Sequence, residues 1–363
     1  MARLSGVLLL AFALDSLGQA VTSPPPANVM FVPNPYGYYF SRHPSLPVLY
    51  VGGYYAPESK NLITYPLNPD GTVNTNGMRS FNFFTRTGTN DLERYSLARP
   101  IVLPEERVLY LGVIPSAATY LTSDTNNQEI AAVSLDDAGQ PVKVLKAIRT
   151  SHSEKEIRGW EFDPSTRRLY LSFHTYFGWL PVNREGLPES DKFNLILYIQ
   201  TCWQWAYLPE WKRFYARQTD SGVLVFKLAP DGTALEVVQY LSGPYRGVGN
   251  LTVNPSLRRL YFLDTSGGRL IIHRLAKDGR ITGLPRSVPL GEAYGVRFDF
   301  KTKSLYAWYD KAILRRFSLD DNGDPVGHPQ LHALNCGGIR DMLVDEATGK
   351  LYVLCTEPPT PPK

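Results

Sequence analysis

Apolar and polar residues alternate in short runs along most of this chain, and Gly, Asp and Ser turns punctuate the runs. The stretch Arg258–Gly279, RRLYFLDTSGGRLIIHRLAKDG, shows the pattern in full. A strand over Leu260–Leu263 turns through Asp264–Gly268 into a second strand, Leu270–Leu275, which stops at Asp278-Gly279. Alternation with a period of two, bounded by such turns, predicts a hairpin of a half-buried sheet.

The phrase recurs. Leu-Tyr pairs with a strand-like lead-in fall at Leu49-Tyr50, Leu109-Tyr110, Leu169-Tyr170, Leu260-Tyr261, Leu305-Tyr306 and Leu351-Tyr352. Their tyrosines are spaced by 60, 60, 91, 45 and 46 residues, and the long interval holds two units. Phe214-Tyr215, inside KRFYARQTDSGVLVFKLAPDG, supplies the hidden copy. A second landmark keeps register with the first: Gly186, Gly232, Gly279 and Gly323 lie 16, 17, 18 and 17 residues after Tyr170, Tyr215, Tyr261 and Tyr306. The count is seven copies; six copies with one long insertion is the competing count.

A unit of about 45 residues built of short strands has the size of a four-stranded propeller blade. One small twisted sheet cannot bury both faces alone, whereas seven around an axis bury each face against a neighbour. The expected fold is therefore all-β, a seven-bladed β-propeller over residues 28–356. Too few residues follow Cys355 to build the outer strands of the last copy, while the strand-like Asn28–Val32 precedes the first. The N-terminal strand is thus expected to close the ring inside a three-stranded last blade, which leaves no open sheet edge.

Length and composition change this picture little: 363 residues fit one closed ring, and 43% apolar with 20% charged residues is ordinary for a globular protein. A net charge of +4 without a Lys/Arg run argues against a nucleic-acid partner. Residues 1–20, MARLSGVLLLAFALDSLGQA, read as a signal peptide, with Arg3 ahead of an apolar run too short to span a bilayer. A buried strand is the alternative. Residues 21–27 form a Pro-rich spacer, 357–363 a short tail, and no later stretch is apolar enough for a membrane helix. The chain is expected to be secreted or periplasmic, to act as a monomer, and to meet a small-molecule substrate or an extracellular ligand. Of the three cysteines, Cys336 and Cys355 share the last copy and could pair, leaving Cys202 over; buried free thiols are the equal alternative.

Strong catalytic motifs are absent: there is no phosphate loop, His-x-x-x-His pair, CxxC or GxSxG elbow. No metal or other cofactor is indicated. Asp163, Asn254, Asp299 and Asp345 each lie seven residues before a tyrosine and read as turn residues that bond the local backbone. The hairpin turns gather on one rim of the ring, and the blade-to-blade links on the other. Irregular loops on a rigid scaffold are where binding residues collect, so the link rim, at the mouth of the central channel, is the candidate site. Its polar residues include His152, Glu156 and Arg158 in RTSHSEKEIRGW, Tyr245 and Arg246 in GPYRG, and His174, Glu292, Tyr294 and Arg340. Blander roles exist for these: Arg158 and Glu161, for example, would also suit an ion pair between blades.

The first copy, HPSLPVLYVGGYYAPESKNLITYPLNPDG, resembles the opening of the lactonase-type seven-bladed propellers, the 6-phosphogluconolactonase-like and carboxymuconate-lactonising proteins. His43-Pro44-Ser45, Leu49-Tyr50-Val51-Gly52-Gly53 and the turns ending at Gly71, Gly232 and Gly279 carry the resemblance. It implies a lactone opened or closed in the central channel by His, Arg and Glu side chains. The nearest equivalents are His152 or Glu156 as general base for water, with Arg158 and Arg246 on the oxyanion or a substrate carboxylate. His174, Tyr245, Glu292, Tyr294 and Arg340 would then bind substrate. A second reading is a non-catalytic propeller holding a carbohydrate or protein through a rim rich in Trp203, Trp205, Tyr207 and Trp211.

Overall fold

The computed structural model describes residues 26–33, 37–53, 62–81, 94–96, 99–115, 129–149, 159–172, 176–198, 202–218, 222–243, 250–309, 312–334 and 336–356. Seven small sheets stand around one axis. Blade 3 shows the plan: inner strand Gly159–Asp163, then Arg168–Ser172, Tyr176–Pro181 and, outermost, Asn194–Tyr198, all antiparallel. Blades 1, 4, 5 and 6 repeat it, with inner strands Gly37–Arg42, Cys202–Leu208, Leu251–Asn254 and Gly295–Asp299. In blade 2 the inner position is shared by Arg94–Ser96 and Ile101–Leu103, which both pair with Val108–Pro115. Blade 7 has three strands: Ile339–Asp345, Lys350–Cys355 and, parallel to the latter, the N-terminal Val29–Pro33.

That parallel strand seals the ring as the sequence required. Val29 to Pro33 run in register with Leu351 to Cys355, and the Asn28 side-chain amide donates to the Gly349 carbonyl at 3.0 Å. From the other side, Tyr65 of blade 1 donates to the Pro33 carbonyl at 2.8 Å. Arg42 of blade 1 pairs with the buried Asp345 of blade 7 at 3.0 Å. Cys336 and Cys355 are free, buried thiols in one apolar cluster with Trp308, Leu314 and Met342.

The two sequence landmarks turn out to touch each other. Tyr50, Tyr110, Tyr170, Tyr215 and Tyr261 each send their hydroxyl to the glycine carbonyl of the next blade's outer turn: Gly139, Gly186, Gly232, Gly279 and Gly323, at 2.6–3.1 Å. Tyr352 closes the circle on Gly71 of blade 1 at 3.0 Å. Tyr306 alone faces a blade that has no outer hairpin. The glycines have φ between 73° and 80° or so (Gly279, 81°), a left-handed conformation that costs glycine least. At Gly279 a Cβ would also stand 2.7 Å from the Tyr215 hydroxyl.

The inner turns behave as expected too. Asp163 Oδ1 accepts the Ser165 N–H at 2.9 Å, Asn254 Oδ1 that of Leu257 at 2.9 Å, and Asp299 Oδ1 that of Thr302 at 2.9 Å. Asp345 receives the Thr348 hydroxyl at 2.6 Å. In blade 1 the same place is taken by His43, whose Nδ1 accepts from the Ser45 and Leu46 N–H groups at 3.2 and 3.0 Å. The long segments foreseen around 74–90 and 114–127 lie largely outside the described residues.

Candidate functional site

The channel wall follows from the strand register. Directly opposite each repeat tyrosine, on the inner strand, sits one residue per blade: Ser41, Ile101, Glu161, Ala206, Thr252, Arg297 and Leu343. Residues paired across a sheet share a face, so these seven form one ring of equivalent positions around the axis. Two residues earlier lies a second tier, nearer the link rim, where blade 2 contributes Arg99 and blade 7 contributes Asp341. Charges on these two tiers come from four blades that are far apart in sequence.

Asp341 is their centre. Its side chain is 5 % exposed, and Arg99 Nη2 reaches both of its oxygens at 2.9 Å. Arg297 Nη2 adds a third bond at 2.6 Å, and the Met342 N–H a fourth at 2.8 Å. Burial pushes the Asp341 carboxyl up from its ordinary range while Arg99 pulls it back. Arg297 is spent on structure, since its other nitrogens donate to the Met342 and Val296 carbonyls at 2.7 and 2.8 Å. Arg99 is different. It belongs to blade 2 and bonds blade 7, so it passes the inner edge of blade 1, and its side chain is 39 % exposed. Only Nη2 is engaged by Asp341, and the Trp160 indole of blade 3 holds the Arg99 carbonyl from behind.

Glu161 of blade 3 completes the group. Its side chain is open to solvent, yet protein surrounds it on all sides, as befits a residue on a channel wall. That environment desolvates the carboxylate and raises its pKa to about 7, against the pull of Arg99. Desolvation, the largest cause, disfavours the charged form. A carboxyl that titrates near neutrality beside an anchored guanidinium can exchange protons with a ligand and stabilise negative charge on it. Glycine at the second-tier position of blades 3 and 6 makes room for flanking indoles: a Cβ on Gly159 would lie 2.6 Å from Trp205 Nε1, and one on Gly295 would overlap Trp308.

Of the residues expected from sequence, His152, Glu156, Arg158, His174, Tyr245 and Arg246 lie outside the described residues. Glu292, Tyr294 and Arg340 are exposed, in or next to the links that lead into blades 6 and 7. Tyr294 stacks on Tyr309 with ring centres 4.6 Å apart, and the Glu292 carbonyl accepts from Arg315. The aromatic rim is corrected for Trp205, Tyr207 and Trp211; the Trp203 side chain lies outside the described ones. Tyr207 stacks on Phe214 at 4.3 Å and donates to Asp163 at 2.7 Å, and Trp205 packs against Phe177 and Phe214. These rings fill the junction of blades 3 and 4, and Trp211 packs into the next junction. Asn250, in an Asn-Leu-Thr glycosylation pattern, is half-buried and accepts the Val296 N–H at 3.2 Å. Among the described residues no trio of His, Cys, Asp or Glu is grouped to hold a metal, and no helix is long and apolar enough to cross a membrane.

Comparison with solved structures places this architecture. A periplasmic gluconolactonase from Pseudomonas aeruginosa superposes with a TM-score of 0.62 over 82% of this chain and 85% of its own, at 14% identity. The fold is that of the lactonase-type seven-bladed propellers. A candidate 6-phosphogluconolactonase from Bacteroides fragilis gives 0.62 over 87% and 89% at 17% identity. Another from Bacteroides uniformis gives 0.62 over 85% and 88% at 14%. At such identities the likeness is one of fold. No family model matches the chain, and no curated protein is similar to it in sequence.

Proposed function

We propose that this lactonase-like propeller hydrolyses a lactone bound in its channel, with Glu161 as general base and Arg99 facing the carbonyl oxygen. The observation that carries the reading is the Glu161 carboxyl, raised to about 7 on an open channel wall within the electrostatic reach of a guanidinium that Asp341 holds in place. In the forward step Glu161 takes a proton from water as the water oxygen bonds to the lactone carbon. The carbonyl electron pair moves onto its oxygen, where Arg99 stabilises it. Collapse restores the carbonyl and breaks the bond to the ring oxygen, which leaves as a hydroxyl with the proton returned by Glu161. The product is a hydroxy acid, and no cofactor takes part.

Two further points support the substrate class and the setting. Solved proteins of this fold carry the names gluconolactonase and candidate 6-phosphogluconolactonase. The leader-like residues 1–20 and the periplasmic Pseudomonas neighbour favour export. His152, Glu156 and Arg158 precede the Glu161 strand in sequence, and with Arg246 they complete the set of residues to be tested. The test is a lactone panel assayed with wild type, Glu161→Gln, His152→Ala and Arg246→Ala. Glu161→Gln is isosteric and should lower turnover by about 10²- to 10⁴-fold. Full turnover in that variant, or a panel left wholly untouched by the wild type, would end the proposal.

A further inference from the structure

One cleft of about 650 Å³ opens on the turn rim, between blades 5, 6 and 7. Its mouth is made of hairpin turns: Pro255–Leu257, Lys303, Asp320, Asp321, Gly323 and Glu346. Its inner end is made of Thr252, Arg297 and Leu343, three of the seven residues on the Glu161 ring. The cleft therefore runs into the channel at the tier where the titrating carboxyl stands.

The mouth is acidic on balance: Asp320, which caps its own turn by accepting the Asn322 and Asp324 N–H groups, and Glu346 remain beside the paired Lys303 and Asp321. Lys303 is bonded to Asp321 at the rim, and Arg297 is held by Asp341 and two carbonyls deeper in. What is left along the walls is apolar: Val253, Pro255 and Leu257 on one side, Phe298, Phe300 and Leu319 on the other. Phe298 and Phe300 stack with centres 5.1 Å apart and present one aromatic surface. Beyond the ring, towards the link rim, the Arg99–Asp341 bridge spans from blade 2 to blade 7. A ligand that comes in through the cleft thus passes an apolar wall first and meets Arg99 and Glu161 last.

We infer that this cleft is the outer subsite of the channel, entered from the turn rim, and that it takes the alkyl or aryl substituent of a lactone whose ring lies at Glu161. The inference rests on the lactonase reading for the ring end of the ligand, and the cleft's own binding can be measured apart from it. A volume of this size suits a ligand pocket, for which about 300–1,000 Å³ is usual. Each methylene buried on such a wall tightens binding roughly fourfold.

The experiment titrates the full-length protein calorimetrically with 4-hydroxy acids of five to nine carbons, the products of opened γ-lactones, and measures kcat/KM on the matching lactones. Affinity should rise roughly fourfold per methylene until the cleft is filled. Ser256→Trp, an exposed turn position at the cleft mouth, should obstruct the entrance and abolish that gain; Phe300→Ser should flatten it while leaving the entrance open. Chain-length-dependent binding with no lactone opened would retain the cleft and remove the lactonase reading. Lactone hydrolysis with flat chain-length dependence, or with a gain that Ser256→Trp leaves intact, would overturn the cleft inference and leave the lactonase reading standing.

Discussion

Removing the hydroxyl of a single repeat tyrosine measures what joins one blade to the next. In Tyr261→Phe the ring stays and the hydrogen bond to the Gly323 carbonyl, 3.1 Å long and buried, is lost. A buried hydrogen bond of this kind contributes about 1 kcal/mol net, and the carbonyl left without its donor adds to the cost, for roughly 1–2 kcal/mol in all. In a ring of this length that is a fall in Tm of roughly 1–3 °C, read by calorimetry at a fixed scan rate. Tyr50→Phe, Tyr110→Phe and Tyr215→Phe, whose bonds are 2.7, 2.7 and 2.6 Å, should cost at least as much. Tyr306→Phe is the internal control, because the three-stranded blade 7 offers it no outer turn; its Tm should change by less than half as much. Equal losses at Tyr306 and Tyr261, or no loss at either, would show that the tyrosine–turn bond is not what joins the blades.

Three other outcomes follow from the same packing. Burial lowers the His273 pKa to about 4 from its usual 6.5, so the unfolded chain binds the proton more readily. The stability this contributes is full above pH 6.5 and falls by about 3 kcal/mol as pH drops towards 4; urea unfolding of wild type and His273→Gln at pH 7.5 and 4.5 checks it, and identical acid losses would refute it. His43 is likewise held below its usual pKa, by burial and by Arg42, while its Nδ1 caps a turn; His43→Asn should keep the cap at pH 7.5 and be the more stable protein at pH 5, and an equal acid response in both would count against this. Gly295→Ala drives a methyl into Trp308 and should cost about 1–3 kcal/mol with a shift in tryptophan emission; an unchanged spectrum and Tm would mean that the indole has room to move.

The frame of this molecule was legible because it is repetitive. The Leu-Tyr pair and the turn glycine recur since each pair of blades needs the same contact, and Tyr170 to Gly232 is one instance of a rule that the chain states six times. The early strand at Val29 gave the closure away for a similar reason: an edge has to be covered. The channel charges were not legible in the same way. Glu161 alternates with apolar neighbours like any polar residue of a half-buried strand, and Arg99 and Asp341 are separated by five blades of sequence although they bond each other. Reading down the column nine residues before each tyrosine would have exposed Glu161 and Arg297 as the two charges on that tier. The aromatic run at 202–211 departs from the repeat and so reads as rim, yet Trp205 and Tyr207 fill a blade junction.

The most direct measurement is kcat/KM for a hydrolysed lactone as a function of pH, in wild type and in Arg99→Gln. The account predicts an ascending limb with its midpoint near 7, where the Glu161 carboxyl loses its proton, and a falloff approaching tenfold per pH unit below it. Because Arg99 is the group that draws this carboxyl down, the limb should move to higher pH in the variant. A limb that lies near 4, or one that Arg99→Gln leaves in place, would contradict the assignment of Glu161 as the base.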